Sequence, residues 1–167
     1  MALLKILKVP DPRLKLKAHP VEKVDTDIQR LMDDMLETMY HDKGCGLAAT
    51  QVGIQKRIVV IDFEDERTPE PLLMANPEIV WYSDKREAFT EGCLSVPNQW
   101  TAIVRASSVK FQYLDRHNKR QELTVDGILG ACIQHEIDHL NGVLFVDHVS
   151  SLKRNLLLRR AIKLKED

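Results

Sequence analysis

The chain has 167 residues, 24 Lys and Arg against 25 Asp and Glu, a formal charge of −1, 44% apolar residues and 5% aromatic ones. At this length folding buries roughly 70% of the unfolded surface, so a core needs neither disulfides nor a structural metal, and any metal present is chemical rather than architectural. The balanced charge argues against a dedicated nucleic-acid binder, and no apolar run approaches the ~20 residues of a membrane-spanning helix.

Composition therefore points to one domain over residues 1–167. The opening stretch MALLKILKVPDP is broken by Lys5, Lys8, Pro10 and Pro12, so no secretory core forms and a cytoplasmic location is expected. From Asp25 to Asp42, Ile28, Leu31, Met32, Met35, Leu36 and Met39 recur on one helical face. Asp25 or Thr26 caps this helix, Gly44 lies just past its end, and the methionine stripe reads as core. Short, mostly antiparallel strands are predicted at Arg57 to Phe63, Leu72 to Tyr82, Ala102 to Arg105, Val109 to Leu114 and Gln121 to Val125. Glu64 to Pro71 and Arg116 to Arg120 read as exposed connections. A second helix fits Gly127 to Asn141, capped by Asp126 and stopped by Gly142, and a third fits Ser151 to Lys165. Strands grouped between helices indicate an α+β fold rather than an alternating parallel sheet.

The second helix carries the sharpest chemical signal, His135-Glu136-Ile137-Asp138-His139. Residues four apart share a helical face with Cβ atoms ~6 Å apart, so two imidazoles can grip one metal ion, with the glutamate beside it as a general base. The plainer reading is a polar, exposed helix face. Ile133, Ile137 and Leu140 speak against it, because they draw the motif inward. Two histidines leave a divalent ion under-coordinated. Cys93, in Glu91-Gly92-Cys93-Leu94-Ser95-Val96-Pro97, is a soft third candidate set in a turn, and a Cys plus two His with one open position is a catalytic arrangement. Cys45 and Cys132 read as small buried hydrophobes, and three cysteines without an export signal favour free thiols over disulfides. In Gly44-Cys45-Gly46-Leu47-Ala48-Ala49-Thr50-Gln51 the glycines let backbone approach a ligand and the Gln51 amide can donate to an oxyanion; a tight connection packed with alanines explains the segment equally well.

Together these three segments resemble the peptide deformylase family, whose GxGLAAxQ, EGCLS and QHExDHLxG motifs stand here in order as Gly44 to Gln51, Glu91 to Ser95 and Gln134 to Gly142. The resemblance implies antiparallel strands packed around a central HExxH helix, with an N-terminal helix and a bacterial-type C-terminal one. It also implies a hydrolase that releases formate from the N-formylmethionyl end of nascent polypeptides. By the same resemblance Cys93, His135 and His139 hold Fe²⁺, for which Zn²⁺, Ni²⁺ or Co²⁺ can substitute. Glu136 is the acid and base, and Gln51 with the Leu94 N–H forms the oxyanion site. Gly44, Cys45, Gly46, Gly92, Trp100 and Cys132 line the substrate groove. Cys45 stands where aliphatic residues are common in the family. Glu91, Asp138 and Arg105 are candidates to support the ligating imidazoles, with ordinary solvated charges as the alternative.

Lys153, Arg154, Arg159, Arg160, Lys163 and Lys165 outnumber Glu166 and Asp167 in the last helix. The resemblance suggests ribosome docking through this basic face; alternatively Leu152, Leu156, Leu157 and Leu164 simply pack it on the core. Two rival functions share the HExxH logic. One is a peptidase, whose third ligand would be a downstream His or Glu; the other is a binding module with a closed, four-ligand structural metal.

Overall fold

The structure is a computed structural model that describes residues 2–166. Asp167, and the side chains of Lys165 and Glu166, which the basic-helix reading includes, lie outside the described residues, as does Met1 of the opening stretch. Helix α1 spans Thr26–His41, α2 spans Gly127–Leu140 and α3 spans Ser151–Glu166. The strands are β1 (Gly46–Ala48), β2 (Ile58–Ile61), β3 (Leu72–Tyr82), β4 (Arg86–Cys93), β5 (Val96–Ala106), β6 (Ser108–Leu114) and β7 (Arg120–Asp126). They form a five-stranded sheet in the order β1-β2-β3-β6-β7 and a separate β4-β5 ribbon, with antiparallel pairing throughout.

Strand β2 shows why the sheet sits where it does. All four of its residues, Ile58-Val59-Val60-Ile61, are fully buried. Successive strand side chains point to opposite faces. Ile58 and Val60 therefore join Ile28, Met32, Met35 and Met39 of α1, while Val59 and Ile61 join Ile133, Ile137 and Leu140 of α2. Two amphipathic helices thus clamp one apolar sheet, and the methionine stripe is core, as its spacing predicts. A third cluster seats α3 against the ribbon through Leu157 and Ala161, with Val96 and Ile103 of β5 and Phe145.

Helix ends follow local chemistry with two departures from expectation. Asp25 caps α1 by accepting from the Ile28 N–H at 3.0 Å. The left-handed residue after α1 is Lys43 (φ 59°) rather than Gly44, whose missing side chain instead spares a clash with Leu94, 2.8 Å from where a Cβ would lie. Asp126 occupies the cap position of α2, yet its side chain makes no capping hydrogen bond. Gly142 ends α2 region as expected: its φ is 76°, and a Cβ there would run into the Lys15 carbonyl.

The ribbon is where hydrophobic patterning misleads. Strand β5 begins at Val96, not Ala102, and β4 and the short β1 carry no strand signal in the sequence. In β5 the outward residues are Trp100, Ala102 and Val104, whereas Gln99, Thr101 and Arg105 are buried with Ile103, so apolar and polar sides are partly exchanged. The polar inward face exists because it meets the candidate site. Helix α3 also departs from expectation: Leu152, Leu156 and Leu164 are exposed, and only Leu157 of the four named leucines is buried.

Removing the Met35 side chain, fully buried between α1 and β2, by Met35→Ala is expected to destabilise the fold by about 2–5 kcal/mol. Leu152→Ala, at a position 84% exposed, should change stability by less than about 0.5 kcal/mol. Urea-denaturation midpoints of the two variants check the contrast.

Candidate metal centre

Helix α2 places His135 and His139 on one face, four residues apart, and buries both. Their Nε2 atoms are 3.2 Å apart, with ring planes at 68°. Strand β4 delivers the third donor. A register shift between Glu91 and Cys93 ends the ribbon pairing, and the Cys93 thiol reaches to 3.3 Å from His139 Nε2. Cys93 therefore lies at a strand end beside the expected turn rather than within it. The Cys93 Sγ and one ring nitrogen from each histidine all lie within 4.8 Å of one another.

The donor set fits a divalent transition metal. Glu91 Oε1 is 2.9 Å from His135 Nδ1; a proton held on that nitrogen by the carboxylate leaves Nε2 with its lone pair facing Cys93 and His139. One soft sulfur and two imidazole nitrogens match the borderline-soft ions of the first transition row. The two imidazoles are pushed in opposite directions. Burial opposes ionisation of His135, but hydrogen bonds to Cys93 and Glu91 push its pKa well above the usual value. His139, buried and next to the His135 charge, is pushed well below.

Glu91 is the hub behind the donors. Only 8% exposed, it accepts two hydrogen bonds from Arg105, Nε at 2.5 Å and Nη2 at 2.9 Å. Arg105 Nη1 donates to Asp138 at 3.0 Å, and Asp138 lies 2.8 Å from His148 Nε2. Burial raises the Glu91 pKa, yet the Arg105 and His135 hydrogen bonds outweigh it and bring the carboxyl below its ordinary value. Glu91 and Arg105 are thus a buried ion pair that extends to the half-buried Asp138, the networked one of the two alternatives the sequence leaves open. His148 is an addition that no motif marks.

Glu136 stands one residue from His135, 4% exposed, and burial lifts its pKa to about 7. Its Oε1, like His139 Nδ1, is buried without a hydrogen-bond partner among the described residues. Gly46 of β1 passes directly over it: a Cβ there would lie 2.7 Å from Glu136 Oε2. Gln51, 1% exposed, is held at both ends of its amide. Its oxygen accepts from the Ala48 N–H at 3.0 Å, and its nitrogen donates to Ser95 Oγ at 3.1 Å and Cys93 Sγ at 3.4 Å. Ser95 lies inside the cysteine motif, but nothing in the sequence singles it out as the group that aims Gln51.

A groove of about 1000 Å³ opens over these groups. Gly44, Cys45, Gly46, Gly92, Trp100 and Cys132 all line it, together with Gln51, Cys93, Leu94, His135 and Glu136. Gly92 lets the exposed Trp100 indole lie close over the backbone, where a Cβ would meet the ring as placed. The expectation of small buried hydrophobes fails for Cys45, which is exposed, and Cys132 is half-buried on the groove wall. Cys45 lies in the bend before β1, exposed on the groove, whereas Leu47 within β1 enters the core.

An HExxH helix under an antiparallel sheet, with a cysteine brought in from a neighbouring ribbon and a groove above, defines a metallohydrolase of α+β architecture. The chain matches the polypeptide deformylase family model over residues 3–155, and it belongs to that family. It is 51% identical to the peptide deformylase of Alkalilimnicola ehrlichii over 166 residues, covering 98% of this chain and 92% of the relative. With the peptide deformylase of Methylocella silvestris the identity is 48% over 164 residues, 96% and 84% of the two chains. The crystal structure of the Ehrlichia chaffeensis peptide deformylase in complex with actinonin superposes with a TM-score of 0.95 at 42% identity and covers 100% of both chains. The family removes the N-formyl group from nascent peptides, and this chain is an enzyme of that family. No helix among the described residues is long and apolar enough to cross a membrane.

Arg105→Ala strands the buried Glu91 carboxylate, so stability is expected to fall by about 3–5 kcal/mol, and the bound-metal content should fall with it. Glu91 has a lower pKa folded than unfolded, so its contribution is complete above the unfolded value near 4.5 and is lost as pH falls through the folded one. The stability gap between wild type and Glu91→Gln should therefore narrow on acidification, as read from denaturation midpoints across that range.

Proposed function

We propose that Cys93, His135 and His139 ligate a ferrous ion, for which zinc, nickel or cobalt can substitute, and that Glu136 is the acid and base of deformylation. The observation that carries this reading is the buried Glu136 carboxylate on the groove wall, adjacent to three converging S and N donors. A divalent ion held by Cys93, His135 and His139 would supply Lewis acidity, polarising the formyl carbonyl and lowering the pKa of water.

The chain's own groups do the rest. The formyl-methionyl end of a nascent polypeptide enters the groove, and its backbone pairs with the β1 edge at Gly46, where no side chain obstructs it. Glu136 takes the proton of the attacking water at its carboxylate and returns it to the departing amine nitrogen; a pKa near the working pH suits both transfers. As the formyl carbon becomes tetrahedral, charge grows on its oxygen, and the Gln51 amide and the Leu94 N–H donate to it. Ala48 and Ser95 hold the Gln51 amide in place, and the N–H that donates to Cys93 Sγ is the one that would turn to the oxyanion. The methionine side chain lies against the groove wall formed by Gly44, Cys45, Gly92, Trp100 and Cys132. The reaction takes place in the cytoplasm.

The basic α3 helix supports docking on ribosomal phosphates, because Lys153, Arg159, Arg160 and Lys163 are exposed. Affinity for ribosomes is expected to fall steeply with added salt, and removal of residues 152–167 should abolish that dependence. Sedimentation with ribosomes over a salt series checks it.

Glu136→Ala is expected to keep its metal and lose about 10²–10⁴-fold in formate release from formyl-Met-Ala-Ser, and Gln51→Ala about 10²–10³-fold. Cys93→Ala should lose the ion as well. Metal analysis paired with the assay tests these outcomes, with the unformylated peptide as control; wild-type turnover by Glu136→Ala contradicts the assigned base.

A further inference from the structure

Three cysteines occur in the chain, and the deformylation chemistry uses one. The other two come from segments far apart in sequence, Cys45 from the bend before β1 and Cys132 from α2 one turn before Glu136. Both line the same groove. Cys45 adjoins Gly46, the residue that packs against the Cys132 thiol. The approach is enforced by Gly46, whose absent Cβ would sit 3.0 Å from Cys132 Sγ, so β1 lies directly on this part of α2. Cys45 is exposed and Cys132 is half-buried behind it.

We propose that Cys45 and Cys132 form a dithiol modification site, oxidised by low-molecular-weight disulfides to a reversible Cys45–Cys132 bond that narrows the substrate groove.

The two thiols have complementary properties. Side-chain contact with Cys132 lowers the Cys45 pKa to about 7 against the opposing effect of burial, with smaller lowering contributions from the His135 charge and Arg67, while the same contact and burial raise that of Cys132. Thiolate fraction and access together select the attacking sulfur, so Cys45 reacts first and Cys132 resolves. In the first step the Cys45 thiolate attacks one sulfur of the small disulfide. Its S–S bond breaks, a thiolate leaves, and that thiolate takes up the proton Cys45 has released. In the second step Cys132 gives up its proton and attacks the Cys45 sulfur of the mixed disulfide, expelling the second small thiol, which carries that proton away. Two protein thiols are oxidised and one small disulfide is reduced to two thiols.

The consequence for catalysis follows from position. The bridge would join the bend before β1 to α2 at the wall where Gly46 passes Glu136, and it would occupy space that a substrate side chain needs. This effect on turnover rests on the proposed reading of the groove, whereas formation of the bond does not.

The test treats the metal-loaded enzyme anaerobically with glutathione disulfide, then alkylates free thiols and maps peptides without reduction. The expected product is lighter by about two mass units, links the Cys45 and Cys132 peptides and keeps its metal. Its formyl-peptide turnover falls about tenfold or more and returns with dithiothreitol. Cys132→Ala should instead gain one glutathione on Cys45. The proposal is overturned if Cys45 and Cys132 are both recovered alkylated, if the link involves Cys93, or if the linked protein turns over as before. Because the map is read by mass, an untreated enzyme without deformylase activity would refute the proposed function and leave this result separate.

Discussion

Glu91 is a carboxylate almost out of reach of water, and burying such a charge is tolerable only if every lone pair is engaged. Arg105 engages it from the partner strand of the ribbon, and His135 engages it from α2. That single group therefore ties the separate β4-β5 ribbon to the helix under the main sheet. It also decides which nitrogen of His135 faces the other donors. Without it the polar links from the ribbon to the HExxH helix would be reduced to the Cys93–His139 contact, the Arg105–Asp138 pair and the Gln134–Ala106 hydrogen bond.

Close approach of backbone is the second requirement, and missing side chains provide it. Gly46 lets β1 run over Glu136, Gly92 leaves room for the Trp100 ring, and Gly142 lets the chain after α2 meet the carbonyl of Lys15. The elements so joined are held from behind by the two-faced β2 strand and the α1 and α2 cores. The outcome is a groove lined by the Gln51, Glu91, Cys93, His135 and Glu136 side chains. Gln51 shows the same economy of motion, because its amide is immobilised at both ends before any substrate arrives.

What could be read from residue order was whatever obeys a period. The apolar faces of α1 and α2 and the β-branched run at Ile58 announce themselves, and the HExxH spacing places two imidazoles together with no knowledge of tertiary structure. The linear motif around Cys93 was legible as a turn, but its approach to a helix some forty residues later was carried by resemblance and not by pattern. The ribbon hid for a physical reason: Gln99, Thr101 and Arg105 point inward because they serve a polar site, so alternation reads as loop. His148 and the role of Ser95 were invisible, since each acts through a contact made only on folding. The Cys45 and Cys132 pair was equally hidden, because small size suggests core and Cys45 is exposed only through the bend that precedes β1.

The central claim is that one sulfur and two imidazole nitrogens share a single cation. X-ray absorption on the zinc-loaded protein addresses it without reference to activity. The account predicts one sulfur neighbour at about 2.3 Å and two nitrogen neighbours at about 2.0–2.1 Å, with the sulfur shell absent from Cys93→Ser. A first shell of nitrogen and oxygen alone in the unmodified protein, or a sulfur shell that survives Cys93→Ser, would contradict it.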